Sequence, residues 1–287
     1  MRPVSLTVLG SGDAFTTCGR RNSSYLVSAG DARIIVDCGP TALNGLARVR
    51  CDPATVQGVI QTHFHGDHIL GLPMLILHHQ YVKGPPEGLR VFGPIGTDER
   101  VMSVYSTVYA ASAAKLAGLD RVAGSAAEPG GIVPHGGPFA SLSPPPKPPS
   151  GSPSGLAPAL VRWTTVTAGP VYDLPGGVGT LTALPMAHNP ESLGYRLDVF
   201  GRTLAFTGDT RWNELLPRLA ADADLLVIDC SFLDQALGDH LSYREIDERR
   251  HELTARRIVL SHLGSTMESP GKKLRFPRAR DGMTIDL

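Results

Sequence analysis

A layered α/β architecture is predicted by three features of this 287-residue sequence. Short β-branched runs recur along the chain, most of them end in Gly, Asp or His, and helical stretches sit late in each of two strand-rich halves. Buried strands that empty into functional loops have this pattern. In order, the strands are expected at Val4 to Leu9, Ser24 to Val27, Ile34 to Asp37, Val59 to Thr62, Arg90 to Phe92, Arg162 to Thr167, Thr180 to Pro185, Gly194 to Val199, Thr203 to Thr207, Leu225 to Asp229 and Arg257 to Leu260. Helices are expected at His68 to Val82, at the alanine-rich Asp98 to Leu116, and at Ser242 to Leu253, where a serine cap is followed three residues later by Glu245.

Composition narrows the function classes. The chain is 42% hydrophobic, 19% charged and 6% aromatic, with 27 Lys and Arg against 27 Asp and Glu. That suits a globular chain with a substantial core, read as one domain over 1–287. A balanced charge gives no global field toward DNA or an anionic membrane, so any polyanion recognition must be local. No apolar run reaches the roughly 18 to 20 residues of a membrane span. The opening MRPVSLTVLGSGDAF lacks the zones of a signal peptide. The four cysteines, Cys18, Cys38, Cys51 and Cys230, form no C-x-x-C pair and read as reduced thiols of a cytoplasmic protein.

Gly contributes 32 residues and Pro 24, about a fifth of the chain where roughly 12% is usual. Ten of the prolines fall between Pro129 and Pro158. The surrounding segment, 118–159, has few large apolar residues and reads as a flexible insertion without a core. The last stretch, 268–287, holds Lys272, Lys273, Arg275, Arg278 and Arg280 and reads as a solvated basic tail.

The chemistry is concentrated in Val59-Ile-Gln-Thr-His63-Phe-His65-Gly-Asp67-His68, where an apolar strand empties into three histidines and an aspartate. Unpaired buried carboxylates and imidazoles cost several kcal/mol, so a core strand gains nothing by ending this way unless a divalent metal gathers them. His63 and His65, two apart, can face one ion, and Asp67 and His68, past a turn at Gly66, can face a second. His188, Asp209 and His262 each follow a further strand and complete a plausible pair of sites. Gly208 lets the backbone at Asp209 approach a ligand closely.

In that order THFHGDH, PMAH, FTGDT and LSH resemble the motifs of the metallo-β-lactamase superfamily. LGSGDAF, RRNSSYLV and IIVDCG resemble the first strands of its ribonuclease Z and phosphodiesterase branch. The resemblance spans residues 5 to 263 and implies a four-layer αβ/βα sandwich with a binuclear zinc site at one edge. It implies that His63, His65 and His188 hold one zinc, that Asp67, His68 and His262 hold the other, and that Asp209 bridges them. Manganese or iron suits the same donors. It also implies that Asp229 pairs with His240 of the H-L-S segment, making His240 a general acid for a leaving alkoxide. The competing reading of His240 is a cap for the helix that starts near Ser242. Asp67 is expected to orient the attacking water or take its proton.

The chain departs from the ribonuclease Z pattern in one respect. That family inserts a tRNA-gripping arm between the third-motif histidine and the bridging aspartate, yet only 20 residues separate His188 from Asp209. A small or cyclic nucleotide-like phosphodiester is therefore expected as substrate ahead of RNA. A carbon ester, thioester or lactone, or tRNA 3′ processing as in ribonuclease Z, is the alternative for the same metals, and a homodimer is what the resemblance implies for assembly. His78, His79, His135 and His251 are assigned to no metal. Asp13 suits a turn or an approach to the site, and Asp37 reads as a structural hydrogen-bonding residue.

Overall fold

A computed structural model of the chain describes residues 3–82, 84–117, 160–235, 238–271 and 273–287. The expected flexible insertion at 118–159 lies outside the described residues. Thirteen strands are described: β1 (Val4–Gly10), β2 (Ser24–Ala29), β3 (Ala32–Val36), β4 (Gly58–Ile60), β5 (Leu89–Gly93), β6 (Val161–Thr165), β7 (Tyr172–Asp173), β8 (Gly179–Pro185), β9 (Leu193–Val199), β10 (Arg202–Phe206), β11 (Leu225–Asp229), β12 (Ile258–Ser261) and β13 (Thr284–Asp286). Seven α-helices accompany them: α1 (Ala42–Arg48), α2 (Gly66–Ile69), α3 (Leu72–Tyr81), α4 (Thr97–Val108), α5 (Ala110–Leu116), α6 (Leu216–Ala220) and α7 (Tyr243–Glu248).

The strands form one sheet in the order β13-β1-β2-β3-β4-β5-β6 and a second in the order β12-β11-β10-β9-β8-β7. In the first, β3 to β6 run parallel, and in the second β10, β11 and β12 do. The C-terminal ends of each parallel set therefore share an edge, where α/β sheets place their ligands.

Side-chain alternation builds the layers. Ile34 and Val36 of β3 face a core shared with Leu197, Phe206 and Val227 of the other sheet, while Ile35 turns to the helix side with Leu46, Leu75 and Tyr105. In β11, Leu225 and Val227 enter the same central core, and Leu226 and Ile228 pack under Leu219 and Ile246. Each fully buried aliphatic side chain contributes roughly 1.5–3 kcal/mol. Helices outside two face-to-face sheets make the expected αβ/βα sandwich.

Several details differ from the sequence expectation. The helix expected over 68–82 is two helices, because Gly71 sits against the Gly39 backbone, where an added Cβ would lie 2.0 Å from the Gly39 carbonyl oxygen. Its N–H instead bonds the Cys38 carbonyl at 2.8 Å. The alanine-rich helix breaks at Tyr109 (φ −124°, ψ 52°). Strands β7 and β13 and helices α1 and α6 were not expected; they are two to seven residues long, too short for a periodic signal. The C-terminal stretch is not a solvated tail. β13 pairs with β1, Ala279 is buried, and Asp281 accepts hydrogen bonds from the Ser11 and Arg21 backbones. Phe276 and Ala279, set among its basic residues, and Ile285 beyond them pack inward.

Candidate metal centre

Past β4 the chain stays extended through His65 and then turns at Gly66 into α2. Extended backbone puts His63 and His65 on one side, with ring centroids 4.8 Å apart, while Phe64 turns away beneath the Arg100 guanidinium. The single turn of α2 brings Asp67 and His68 back toward them, both buried. His188 follows β8, Asp209 follows β10 and His262 follows β12. Gly208 has φ +57°, and a Cβ there would meet Thr62 Cβ at 2.8 Å, so the approach of Asp209 needs glycine.

The seven side chains converge in two groups that share Asp209. His63, His65, His188 and Asp209 form one, and Asp67, His68, Asp209 and His262 the other; within each, one ligand atom per residue lies within 4.8 Å of the rest. His68 Nε2 stands 3.2 Å from Asp67 Oδ2 and 3.3 Å from Asp209 Oδ1, and His262 Nε2 stands 3.3 Å from both carboxylates. His63 Nε2 is 3.6 Å from Asp209 Oδ2. Nε2 of His63 and of His68 is buried with no hydrogen-bond partner. Donor atoms 2.0–2.1 Å from one tetrahedral ion stand roughly 3.3 Å apart, so these spacings and orphaned nitrogens fit divalent cations.

The outward nitrogens fix which lone pair faces inward. His68 Nδ1 donates to Asp37 Oδ2 at 2.7 Å. His63 Nδ1 donates to Thr62 Oγ1 at 2.9 Å, and that hydroxyl in turn donates to Asp37 Oδ2 at 2.8 Å. His262 Nδ1 donates to Ser231 Oγ at 2.8 Å, which passes its own proton to Asp229 Oδ1 at 3.0 Å. His188 Nδ1 donates to the Asp239 carbonyl at 3.1 Å. Such partners orient imidazole ligands and raise their basicity. Asp37 is thus the hydrogen-bonding residue the sequence suggested, held at φ +57°. Thr62, Ser231 and Asp239 were missed, and no pattern in the sequence distinguishes them from ordinary loop residues.

The electrostatics follow from this crowding. Burial pushes the Asp209 carboxyl up, but the charges of His262 and His68 outweigh it and hold it well below the usual carboxylate range. Burial opposes charge on His68, yet Asp209, Asp37 and Asp67 raise it well above an ordinary imidazole, and His262 is raised to about 9 against the same penalty by Asp209 and Asp67. Burial, reinforced by the charge of His68, lowers His63. The carboxylates therefore demand positive charge at these Nε2 positions, which a divalent cation supplies.

His240 lies beside the shared carboxylate. Its Nδ1 is 3.0 Å from Asp229 Oδ2 and 4.0 Å from Asp209 Oδ2, and its ring stacks on His262 with centroids 5.0 Å apart. Burial disfavours its charged form, but the hydrogen bond and charge of Asp229 outweigh that and raise its pKa. It does not cap α7, since Ser242 Oγ accepts the Glu245 N–H at 3.2 Å. Asp13 serves a turn, accepting from the Phe15 and Thr17 backbones. His79 bonds the Pro53 carbonyl away from the site.

One backbone contact supports the centre from below. A Cβ on Gly39 would lie 1.9 Å from the Asp67 carbonyl oxygen. Gly39→Ala is expected to cost about 2 kcal/mol or more and to weaken divalent-metal affinity by displacing Asp67. Thermal denaturation and metal titration check this; an unchanged melting point with unchanged affinity would contradict it.

The fold and the donor set define a metallo-β-lactamase-fold hydrolase that depends on divalent metal. Comparison with known proteins agrees. The family model described as anti-Pycsar protein Apyc1 matches residues 4–95. Over 277 residues the chain is 27% identical to the ribonuclease Z of Methanosarcina acetivorans, covering 91% of this chain and 88% of that one. The metallo-β-lactamase fold protein YhfI from Bacillus subtilis matches over 100% of both chains with a TM-score of 0.70 and 20% identity. A diphosphatase of the PhnP family matches with a TM-score of 0.68 and 16% identity, over 99% of this chain and 98% of that one. The chain is a metal-dependent hydrolase with the metallo-β-lactamase fold, similar in sequence to ribonuclease Z proteins. Among the described residues no helix is long and apolar enough to cross a membrane.

Proposed function

We propose that this protein is a zinc-dependent phosphodiesterase with two metal sites, acting on a small or cyclic nucleotide-like diester. His63, His65 and His188 would hold one zinc, Asp67, His68 and His262 the other, and Asp209 would lie between them. When bound, the two cations supply an acidified water and compensation for the negative charge that develops at phosphorus. Asp67 would orient that water or take its proton. His240, held at Nδ1 by Asp229, presents Nε2 to the leaving oxygen and delivers the proton an alkoxide needs. Its side chain is 22% exposed, so substrate can reach it.

The observation that carries the choice of phosphodiester is the 3.0 Å contact between Asp229 and His240 beside the shared carboxylate. The names of the relatives, a ribonuclease Z and a diphosphatase, support phosphorus over carbon as the centre attacked. A small substrate is supported by the short connection from His188 to Asp209. It is filled by the hairpin of β9 and β10, which turns at Phe200 and Gly201 with φ of 46° and 77°, leaving no room for an arm. Assay on bis(p-nitrophenyl) phosphate and a panel of cyclic nucleotides, with and without chelator, tests the reading. Turnover is expected to vanish with chelator and return with about two equivalents of zinc. Absence of metal-dependent turnover on every diester, with turnover on a thioester or lactone, would move the substrate to carbon.

A further inference from the structure

The chain's charge is balanced, yet nine of its Lys and Arg residues and only two of its Glu residues lie between Arg249 and Arg280, with no Asp. The fold gathers most of them on one face. Two adjoining concavities of roughly 400 and 480 Å³ share a floor of Phe276, Pro277 and Met283. Arg250, Arg256, Arg257 and Arg275 line the first, Lys273, Arg278 and Arg280 line the second, and no carboxylate residue lines either. Neighbouring carboxylates compensate this charge only in part: Asp247 is shared by Arg250 and Arg275, Asp224 by Arg202 and Arg256, and Glu268 by Arg20 and Arg278. Among the described residues Lys273 and Arg280 have no side-chain hydrogen-bond or ion-pair partner. Arg256 and Arg275 remain 70% and 57% exposed.

We infer that this face binds single-stranded nucleic acid. Its cations would track the phosphates, and its apolar floor would take unpaired bases, the combination found where single strands are held without sequence preference. A duplex offers phosphates alone, with no unpaired base for the half-buried floor to take. The first concavity is separate from the metal centre. Arg256 and Arg257 lead into β12 at its start and His262 follows its end, which at about 3.3 Å per residue puts them roughly 17 Å apart. The inference therefore does not depend on which bond the metal centre breaks.

Fluorescence anisotropy with a labelled single-stranded 15-mer tests it, using the full chain with and without chelator. Four phosphate contacts predict an affinity that falls roughly 50-fold between 50 and 200 mM salt. Lys273→Glu combined with Arg280→Glu, which breaks no contact among the described residues, is expected to weaken binding at least tenfold while leaving bis(p-nitrophenyl) phosphate turnover and the melting point unchanged. Adding Arg275→Glu is expected to weaken it further. No binding at 50 mM salt, or equal binding by the variants, would overturn the inference. So would a duplex or polyglutamate of equal charge competing as well as the single strand, since that would leave only non-specific attraction to polyanions.

Discussion

Asp209→Asn is expected to abolish hydrolysis, by on the order of 10³-fold or more, and to lower zinc content below two equivalents. An outer partner of a metal ligand is worth about 10–100-fold, whereas Asp209 faces both groups at once, with His63 on one side and His68 and His262 on the other. The amide keeps the volume but removes the charge that holds two raised imidazoles together, and it places an N–H donor where a cation would bind. Elemental analysis and turnover should therefore fall together. Loss of activity with two zinc ions retained would assign Asp209 to chemistry alone. Full activity would remove it from the centre.

His240→Ala is expected to separate substrates by leaving group. General-acid assistance is worth about 10²–10⁴-fold, and only a poor leaving group needs it. Unactivated diesters with alkoxide leaving groups should lose about that much in kcat, while bis(p-nitrophenyl) phosphate, whose phenolate leaves without a proton, should lose less than about tenfold. Zinc content should be unchanged, because His240 Nδ1 is occupied by Asp229 at 3.0 Å. Equal loss on all substrates would indicate that His240 acts on the metals or on binding, and the case for a phosphodiester would lose its main support.

The convergence of the site was legible because every contributing residue follows a strand, and strands running in one direction deliver their ends to one edge. The spacing of His63, His65, Asp67 and His68 encodes its own geometry through local backbone. Ser231 and Thr62 were not legible, because their importance lies in partners such as His262 and Asp37, 31 and 25 residues away, that no local pattern announces. The break before α3 was hidden for a similar reason. Gly71 is required by its contact with the backbone near Gly39, and Pro73, at the start of a helix, is no obstacle by itself. Strand β13, three residues among polar neighbours, has meaning only as the partner of β1.

That last pairing has a consequence for how the molecule is made. Thr7 meets Thr284 across 277 residues of sequence. A ribosome adds about 5–20 residues each second, so β1 waits on the order of half a minute for the strand that covers its open edge. During that interval its unpaired amides and carbonyls are a template for any passing strand. Asp281, which anchors Ser11 and Arg21, arrives equally late. The loop beside His262 is therefore among the last parts to take shape, and the edge that gathers the candidate metal ligands is finished only after nearly all of the chain has been translated.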